Sequence, residues 1–495
     1  MLTTKDYKHF RVGDIVFEGA DKALKALPGD CVTVGDGQVT GIVARVEHKH
    51  IVGTLELAGK IRYGMTSRNV PIYLFTPFAE SYPPFFVGCS QKDVSKNVLA
   101  KIDFAHWDDG TCPRGTLTHI FGAAGDIAAE EAALACHASP IRWKKLEPLI
   151  EPEPLDYTPR GMTFHVDPPG CRDIDDAITL TPVEGGMEVK IHIADVASWL
   201  LVNPQLWMAS HISQTLYKGG VAIHPMFPAE LSEGRFSLLP GTDRRAWTLT
   251  FLWKGFVSEP SWSLEMIRVK GSYSYSSIHK SMFANDLEEI CSGLAKRHIT
   301  DSHEWIEQLM LFYNREAAKL LGGRGVLRRH AGKFQERFAA YEAAGLPADR
   351  LAVAAGEYCL GSDTNTRHCG LGEDLYCHAS SPIRRWADCV NQLVMRRKIL
   401  SSVAASQVEV DYMNARSKAI KAYERDLTFM HALLTGPKEV VGIVAEPGRV
   451  WVSAWGRIVK GETQLAAGTP VTVKYFCDAT KRNWKRRMVL NITPQ

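Results

Sequence analysis

The chain is short of several things that would narrow its class. No stretch of its 495 residues approaches the ~18 consecutive apolar residues of a membrane-spanning helix. Its 11 cysteines are scattered, odd in number and include no Cys-x-x-Cys pair. That pattern excludes a disulfide framework and leads to an expectation of reduced thiols in an intracellular, cytoplasmic protein. Charge of one sign is missing too. The net charge of +3 gives no bulk attraction for nucleic acid, so any basic track must be local. Met1 to Asp6 hold no apolar run, so no signal peptide is expected. Low-complexity tracts and long repeats are also lacking. What remains is a chain with 45% hydrophobic residues, long enough for three or four packed domains.

One stretch dominates what is present: Phe164-His165-Val166-Asp167-Pro168-Pro169-Gly170-Cys171-Arg172-Asp173-Ile174-Asp175-Asp176-Ala177. Thr163 to Val166 reads as a strand. Pro168-Pro169-Gly170 can continue neither a strand nor a helix, so the chain turns there. Ile174, Ala177, Ile178 and Leu180 point to buried surroundings. Carboxylates in such a place are costly unless they are paired or hold a cation. Asp167, Asp173, Asp175 and Asp176 are hard oxygen ligands, which suit Mg²⁺ or Mn²⁺ and phosphoryl chemistry. The bland alternative is a solvated acidic turn. A calcium loop fails because Ile178 stands at the sixth position from Asp173, where that loop needs Gly.

A second chemical centre is Ser381-Pro382-Ile383-Arg384-Arg385-Trp386-Ala387-Asp388. Ser380 or Ser381 can cap a helix that starts at Pro382 and runs through Val390 and Leu393. Its free N–H groups, with the planar donors of Arg384 and Arg385, suit a phosphate. The alternative is a surface arginine pair. His368, Cys369, Cys377 and His378 lack the close ligand spacing of a zinc site. His192, alternating with apolar residues, reads as a buried histidine bonded to its neighbours.

These blocks resemble the RNB family of exoribonucleases, which includes ribonuclease II, ribonuclease R and the exosome nuclease. The metal signature of that family is matched by Asp167, Asp173, Asp175 and Asp176. Further blocks follow in family order: Ile191-His192-Ile193-Ala194-Asp195-Val196, Ile223-His224-Pro225-Met226-Phe227-Pro228, His378-Ala379-Ser380-Ser381-Pro382-Ile383-Arg384-Arg385, and Glu424-Arg425-Asp426. The resemblance implies an α+β fold, with a mixed α/β RNB catalytic domain flanked by β-barrel OB-fold (cold-shock-like) domains. The expected division is a first cold-shock-like domain at 1–80, a second at 81–154, the catalytic domain at 155–435 and a short C-terminal OB-type domain at 436–495.

The resemblance also implies an activity: processive 3′-to-5′ hydrolysis of single-stranded RNA to nucleoside 5′-monophosphates, with Mg²⁺ as cofactor and Mn²⁺ as its substitute. One ion would activate water and the other would stabilise the leaving 3′ oxygen. Asp167, Asp173 and Asp176 would hold the ions, and Asp175 would position an ion or its water. Arg384 would steady the phosphate, Tyr217 would stack on the 3′-terminal base, and Glu424 would touch the terminal sugar. Arg385 is a further RNA contact. Lys481 to Arg487, the densest basic run, adds Trp484 and Lys485. Two departures stand out: Cys171 where the family usually has Ala, and Trp386 in place of a Tyr. Single-stranded RNA is the expected partner, with no membrane; protein partners are not legible. The rival readings are an RNA-binding protein of this fold without catalysis and a metal-dependent endonuclease or phosphodiesterase.

Overall fold

The computed structural model describes residues 1–155, 161–258, 260–396, 405–436, 438–478 and 488–495. The chain divides into two compact units. The first comprises 1–141, 339–351 and 421–495, and the second 142–338 and 352–420.

In the first unit, β1 (Leu2–Thr4), β2 (His9–Val12) and β3 (Ile15–Glu18) make a small antiparallel sheet, and β4 (Cys31–Gly35) pairs with β5 (Gln38–Ala44). Leu2, Phe10, Phe17, Leu27 and Val39 are buried together beneath them. A closed five-stranded barrel follows, built from β6 (Ile51–Leu55), β7 (Ile72–Pro77), β8 (Phe85–Gly88), β9 (Val98–His106) and β10 (Arg114–Ala123). Its interior is filled by alternate residues of these strands, among them Leu55, Phe75, Phe85, Val87, Ala100 and Ile102. Helix α1 (Ile127–Ala138) begins at Asp126, whose side chain accepts a hydrogen bond from Ala129 N.

The expected division at 80/81 is corrected here. That boundary falls inside the barrel, between β7 and β8. β6 pairs with β9 through Ile51↔Ile102 to Leu55↔Val98, so the two sides of the boundary share one hydrophobic interior. Among the described residues of 1–154 there is one closed barrel rather than two.

In the second unit, a six-stranded sheet has the order β17-β16-β13-β12-β11-β18. The strands are β11 (Met162–Val166), β12 (Asp176–Val183), β13 (Gly186–Ala194), β16 (Asp243–Trp253), β17 (Ser261–Arg268) and β18 (Gly271–Tyr273), with the hairpin β14 (Leu216–Lys218) and β15 (Val221–His224) between them in sequence. All its pairings are antiparallel except β11 with β18. Phe164, Ile178, Leu180, Val189, Ile191, Leu249 and Phe251 form its buried face. They share a core with α2 (Ala284–Ala295) and α3 (Ser302–Leu321), whose Leu287, Ile290, Trp305, Leu309 and Phe312 recur at helical spacing. His192 lies within this sheet as expected, its ring nitrogens bonded to Thr179 Oγ1 at 2.9 Å and Thr248 Oγ1 at 2.8 Å. Burial holds its pKa down at about 3, so it stays neutral.

β19 (Val326–Arg329) pairs with β20 (Glu357–Leu360), and α4 (Trp386–Met395) is buried on most of its surface. The long helix α5 (Gln407–Thr435) is shared between the units. β21 (Glu439–Glu446), β22 (Arg449–Val452), β23 (Arg457–Lys460), β24 (Pro470–Cys477) and β25 (Met488–Pro494) close the first unit as a five-stranded antiparallel sheet. No described helix is long and apolar enough to cross a membrane.

Candidate active site

The aspartate loop joins the end of β11 to the start of β12. Asp167 follows β11 and its N–H donates to Tyr273 O at 3.0 Å, continuing the parallel pairing with β18. The chain then reverses through Pro168-Pro169-Gly170. Gly170 has φ +84°, a backbone state that disfavours any Cβ, and Cys171 N closes the turn onto Pro168 O at 3.1 Å. Ile174 is fully buried, and its N–H donates to Ser237 Oγ at 2.9 Å. Asp175 and Asp176 lead into β12, where Asp176 pairs with Ile193. The four carboxylates thus come from a strand end, a pinned turn and a strand start.

Each of the four has its own surroundings. Asp175 is 5% exposed; it accepts hydrogen bonds from Ile383 N at 2.9 Å and Arg384 Nε at 3.2 Å. Burial pushes its pKa up to about 7, against the pull of Arg384 and the Ile383 N–H. Asp176 is driven well above the ordinary carboxylate value by burial, then by the negative charges of Asp167 and Asp175. Asp173 accepts a 2.6 Å hydrogen bond from the Tyr217 hydroxyl and a 3.4 Å one from the Cys171 thiol. Burial and this bond to Asp173 raise the Tyr217 phenol. Asp167 Oδ2 lies 2.9 Å from His165 Nδ1. Cys171 is pushed up to about 12, by burial first and then by Asp167 and Asp173, so it stays a thiol.

The arginine segment reaches this loop from 208 residues further along the chain. Here the structure corrects the expected helix start. α4 begins at Trp386, while 381–384 form a turn with Arg385 N donating to Ser381 O at 3.1 Å. Residues 384–386 instead pair like a strand with 213–215: Thr215 N donates to Arg384 O at 3.0 Å and Trp386 N to Ser213 O at 2.9 Å. The N–H of Ile383, expected to be free for phosphate, serves Asp175. The Arg384 side chain remains 48% exposed and keeps further donors for a ligand. Arg385, the further expected RNA contact, is ion-paired within its own segment. Its Nε and Nη2 bind Asp388 at 2.9 and 2.8 Å, and Asp388 Oδ1 also accepts Ser381 N at 2.7 Å. Arg385 therefore holds the turn that presents Arg384.

Of the remaining expected site residues, Tyr217 on β14 stands at Asp173 with its hydroxyl engaged. Glu424 is exposed on α5, in the part of that helix that belongs to the first unit. Trp484 and Lys485 lie outside the described residues. Sequence reasoning missed Ile383 N–H, Ser237 and Tyr275. Tyr275 sits just past β18, and its phenol is pushed up to about 12 by burial and then by Asp167 and Asp176. The parallel pairing of β18 with β11, which brings it there, leaves no local sequence signal.

The architecture defines an α+β protein with a carboxylate-and-arginine site at the end of a six-stranded sheet, joined in sequence to β-barrel and β-sheet segments. A family model described as the RNB domain matches residues 158–289 and 271–400. The chain belongs to the RNB family. It is 24% identical to "Ribonuclease R" of Chlamydia pneumoniae over 329 residues, covering 50% of this chain and 48% of that protein. It is 24% identical to "Exosome complex exonuclease RRP44" of Homo sapiens over 476 residues, covering 75% of this chain and 48% of that protein. The chain thus spans about half the length of these curated relatives. Its fold is similar to the apo form of Mycoplasma genitalium RNase R, with a TM-score of 0.71 and 15% identity over 100% of both chains. It is also similar to yeast Ssd1, a pseudonuclease, with a TM-score of 0.69 and 15% identity over 100% of this chain and 81% of that one.

Proposed function

We propose that this chain is a hydrolytic exoribonuclease that degrades single-stranded RNA processively from its 3′ end to nucleoside 5′-monophosphates. The observation that carries the proposal is the state of Asp175. It is buried, raised to about 7, and gripped by Ile383 N–H and Arg384 beside two more acids. Crowding like charges in a desolvated place is destabilising and is typical of functional sites.

The donor set fits a divalent cation. It consists of carboxylate oxygens, and the raised Asp175 and Asp176 are groups whose repulsion a cation would remove. As the side chains stand, with Asp173 on Tyr217 and Asp175 on Arg384, no three His, Cys, Asp or Glu among the described residues are arranged around one point. Asp167, Asp173 and Asp176 would hold Mg²⁺ or Mn²⁺. Such ions supply activated water and offset charge on phosphate. Asp175 would position the ion or its water. Arg384, already anchored through Asp175 and Ser381 Oγ at 3.1 Å, would direct its remaining donors to the phosphate. Tyr217 would fix the last nucleotide. Its bond to Asp173 couples that contact to the carboxylates. Glu424 would meet the terminal ribose.

The likeness to yeast Ssd1 favours one second reading, an RNA-binding protein of this fold without catalysis. The four aspartates and Arg384 weigh for catalysis. The test is a linear 5′-labelled RNA beside a circular RNA, each incubated with Mg²⁺. Progressive shortening of the linear strand, release of 5′-monophosphates and an intact circle are expected. Internal cuts in the circle would replace the proposal with an endonuclease, and binding without cleavage would leave the inert reading.

A further inference from the structure

Beyond the carboxylates, one aromatic pair joins a half-buried tyrosine that packs against the core to an exposed histidine. Tyr275 follows β18, on the same sheet end as Asp167, whose N–H is bonded to Tyr273 O. Its ring lies flat on the imidazole of His303, with centroids 3.9 Å apart and planes 11° from parallel. His303 is on the first turn of α3, off the buried stripe of Trp305, Ile306 and Leu309. Asp301 holds it twice, accepting from His303 N at 2.9 Å and meeting Nδ1 at 3.1 Å. Ser302 Oγ donates to Tyr275 O at 2.6 Å and ties the loop to the helix. The His303 side chain is nevertheless 67% exposed. Ser276, Ser277, His279 and Lys280, which follow Tyr275 in sequence, are exposed, and their hydroxyls and basic groups suit a sugar-phosphate strand.

The His303 ring is pinned on one face and at one nitrogen, while its other face meets water. A π-face held in a single orientation loses little freedom when it takes a stacking partner. We propose that the outer face of His303 is a stacking position for a nucleobase of the RNA strand, so that Tyr275, His303 and the base form one continuous stack beside the carboxylate loop. This rests on the reading of that loop as an RNA site. Recognition by stacking accepts every base and favours the larger purine rings.

The test measures equilibrium binding of the full chain in Mg²⁺, with Asp175→Asn as the parent so that the probe is not cut. The probe is a fluorescent 12-mer of oligoadenylate, and a second set carries a single abasic site moved along it. His303→Ala should weaken oligoadenylate binding by roughly 5- to 150-fold, the range for one base stacked on an aromatic ring. His303→Phe should restore it. An abasic site at one position should weaken the parent and leave His303→Ala unchanged. Binding by His303→Ala within twofold of the parent would overturn the inference. Failure of His303→Phe to restore binding, or equal losses for parent and His303→Ala at every abasic position, would overturn it as well. If the parent binds no oligoadenylate and wild type does not shorten RNA, the RNA reading fails and takes this inference with it. Binding by the parent without a His303 effect overturns the stacking position alone.

Discussion

Two buried aspartates, one in each unit, are built from the same parts to different ends. Asp30, between the small β-sheets of the first unit, is 0% exposed. Its carboxylate takes four donors: His48 Nε2 at 3.0 Å, Val46 N at 3.2 Å, Leu27 N at 2.9 Å and Arg45 Nε at 3.1 Å. Asp175 in the second unit accepts, among the described residues, hydrogen bonds from an arginine and one backbone N–H, and burial raises its pKa to about 7 against the pull of Arg384. A carboxylate with enough donors is a structural joint, closing the chain around itself. One that burial raises and that fewer donors hold is destabilising as it stands, a pattern common at functional sites.

The sharpest way to break this comparison is Asp30→Ala. It leaves Arg45 and His48 facing an empty site, and loss of about 3–5 kcal/mol is expected from breaking a buried charge pair. Urea unfolding would measure it, while cleavage per folded molecule should hold. Arg384→Ala acts on the other side. It should cost roughly 2.7–4 kcal/mol of transition-state stabilisation, a 10²–10³-fold fall in kcat, with the fold kept. A pH dependence is expected from Asp175. In the unfolded chain Asp175 ionises near 3.8, and in the folded protein near 7. Between these values the folded state holds the extra proton, so without added metal stability should fall as pH rises from about 4 to 7. Asp175→Asn should flatten that fall, seen in melts across this range with a chelator present. The smallest effect is expected from Tyr217→Phe. Removing its bond to half-buried Asp173 should weaken RNA turnover by about 0.5–1.5 kcal/mol, read as a higher KM.

The aspartate loop was legible because its cues are local. A short apolar run marked β11, Pro-Pro-Gly marked the turn, and apolar residues between acids marked the burial around 174–180. Trp305, Ile306, Leu309 and Tyr313, at helical spacing, are a local cue of the same kind for α3. The two corrected boundaries involve partners distant in sequence. The barrel closes by joining 51–55 to 98–102, and no local pattern announces this across position 80. The SPIRR segment has the letters of a helix start at Pro382. Pairing with 213–215 holds 384–386 extended and delays the helix to Trp386. Arg385 and Arg384 look equal in sequence, and the structure pairs Arg385 with Asp388 three residues on. Trp484 and Lys485 lie outside the described residues.

The central claim is that Asp175 is held for chemistry rather than for the fold. The direct measurement is the rate at which Asp175→Asn shortens a 5′-labelled single-stranded RNA in Mg²⁺, with its melting temperature taken on the same sample beside wild type. A rate lower by a factor on the order of 10²–10³, as when a preorganised electrostatic group is lost, is expected, with RNA still bound and the melting temperature kept or raised. A variant that shortens RNA at the wild-type rate, or one that loses activity only because it unfolds as Asp30→Ala should, would contradict it.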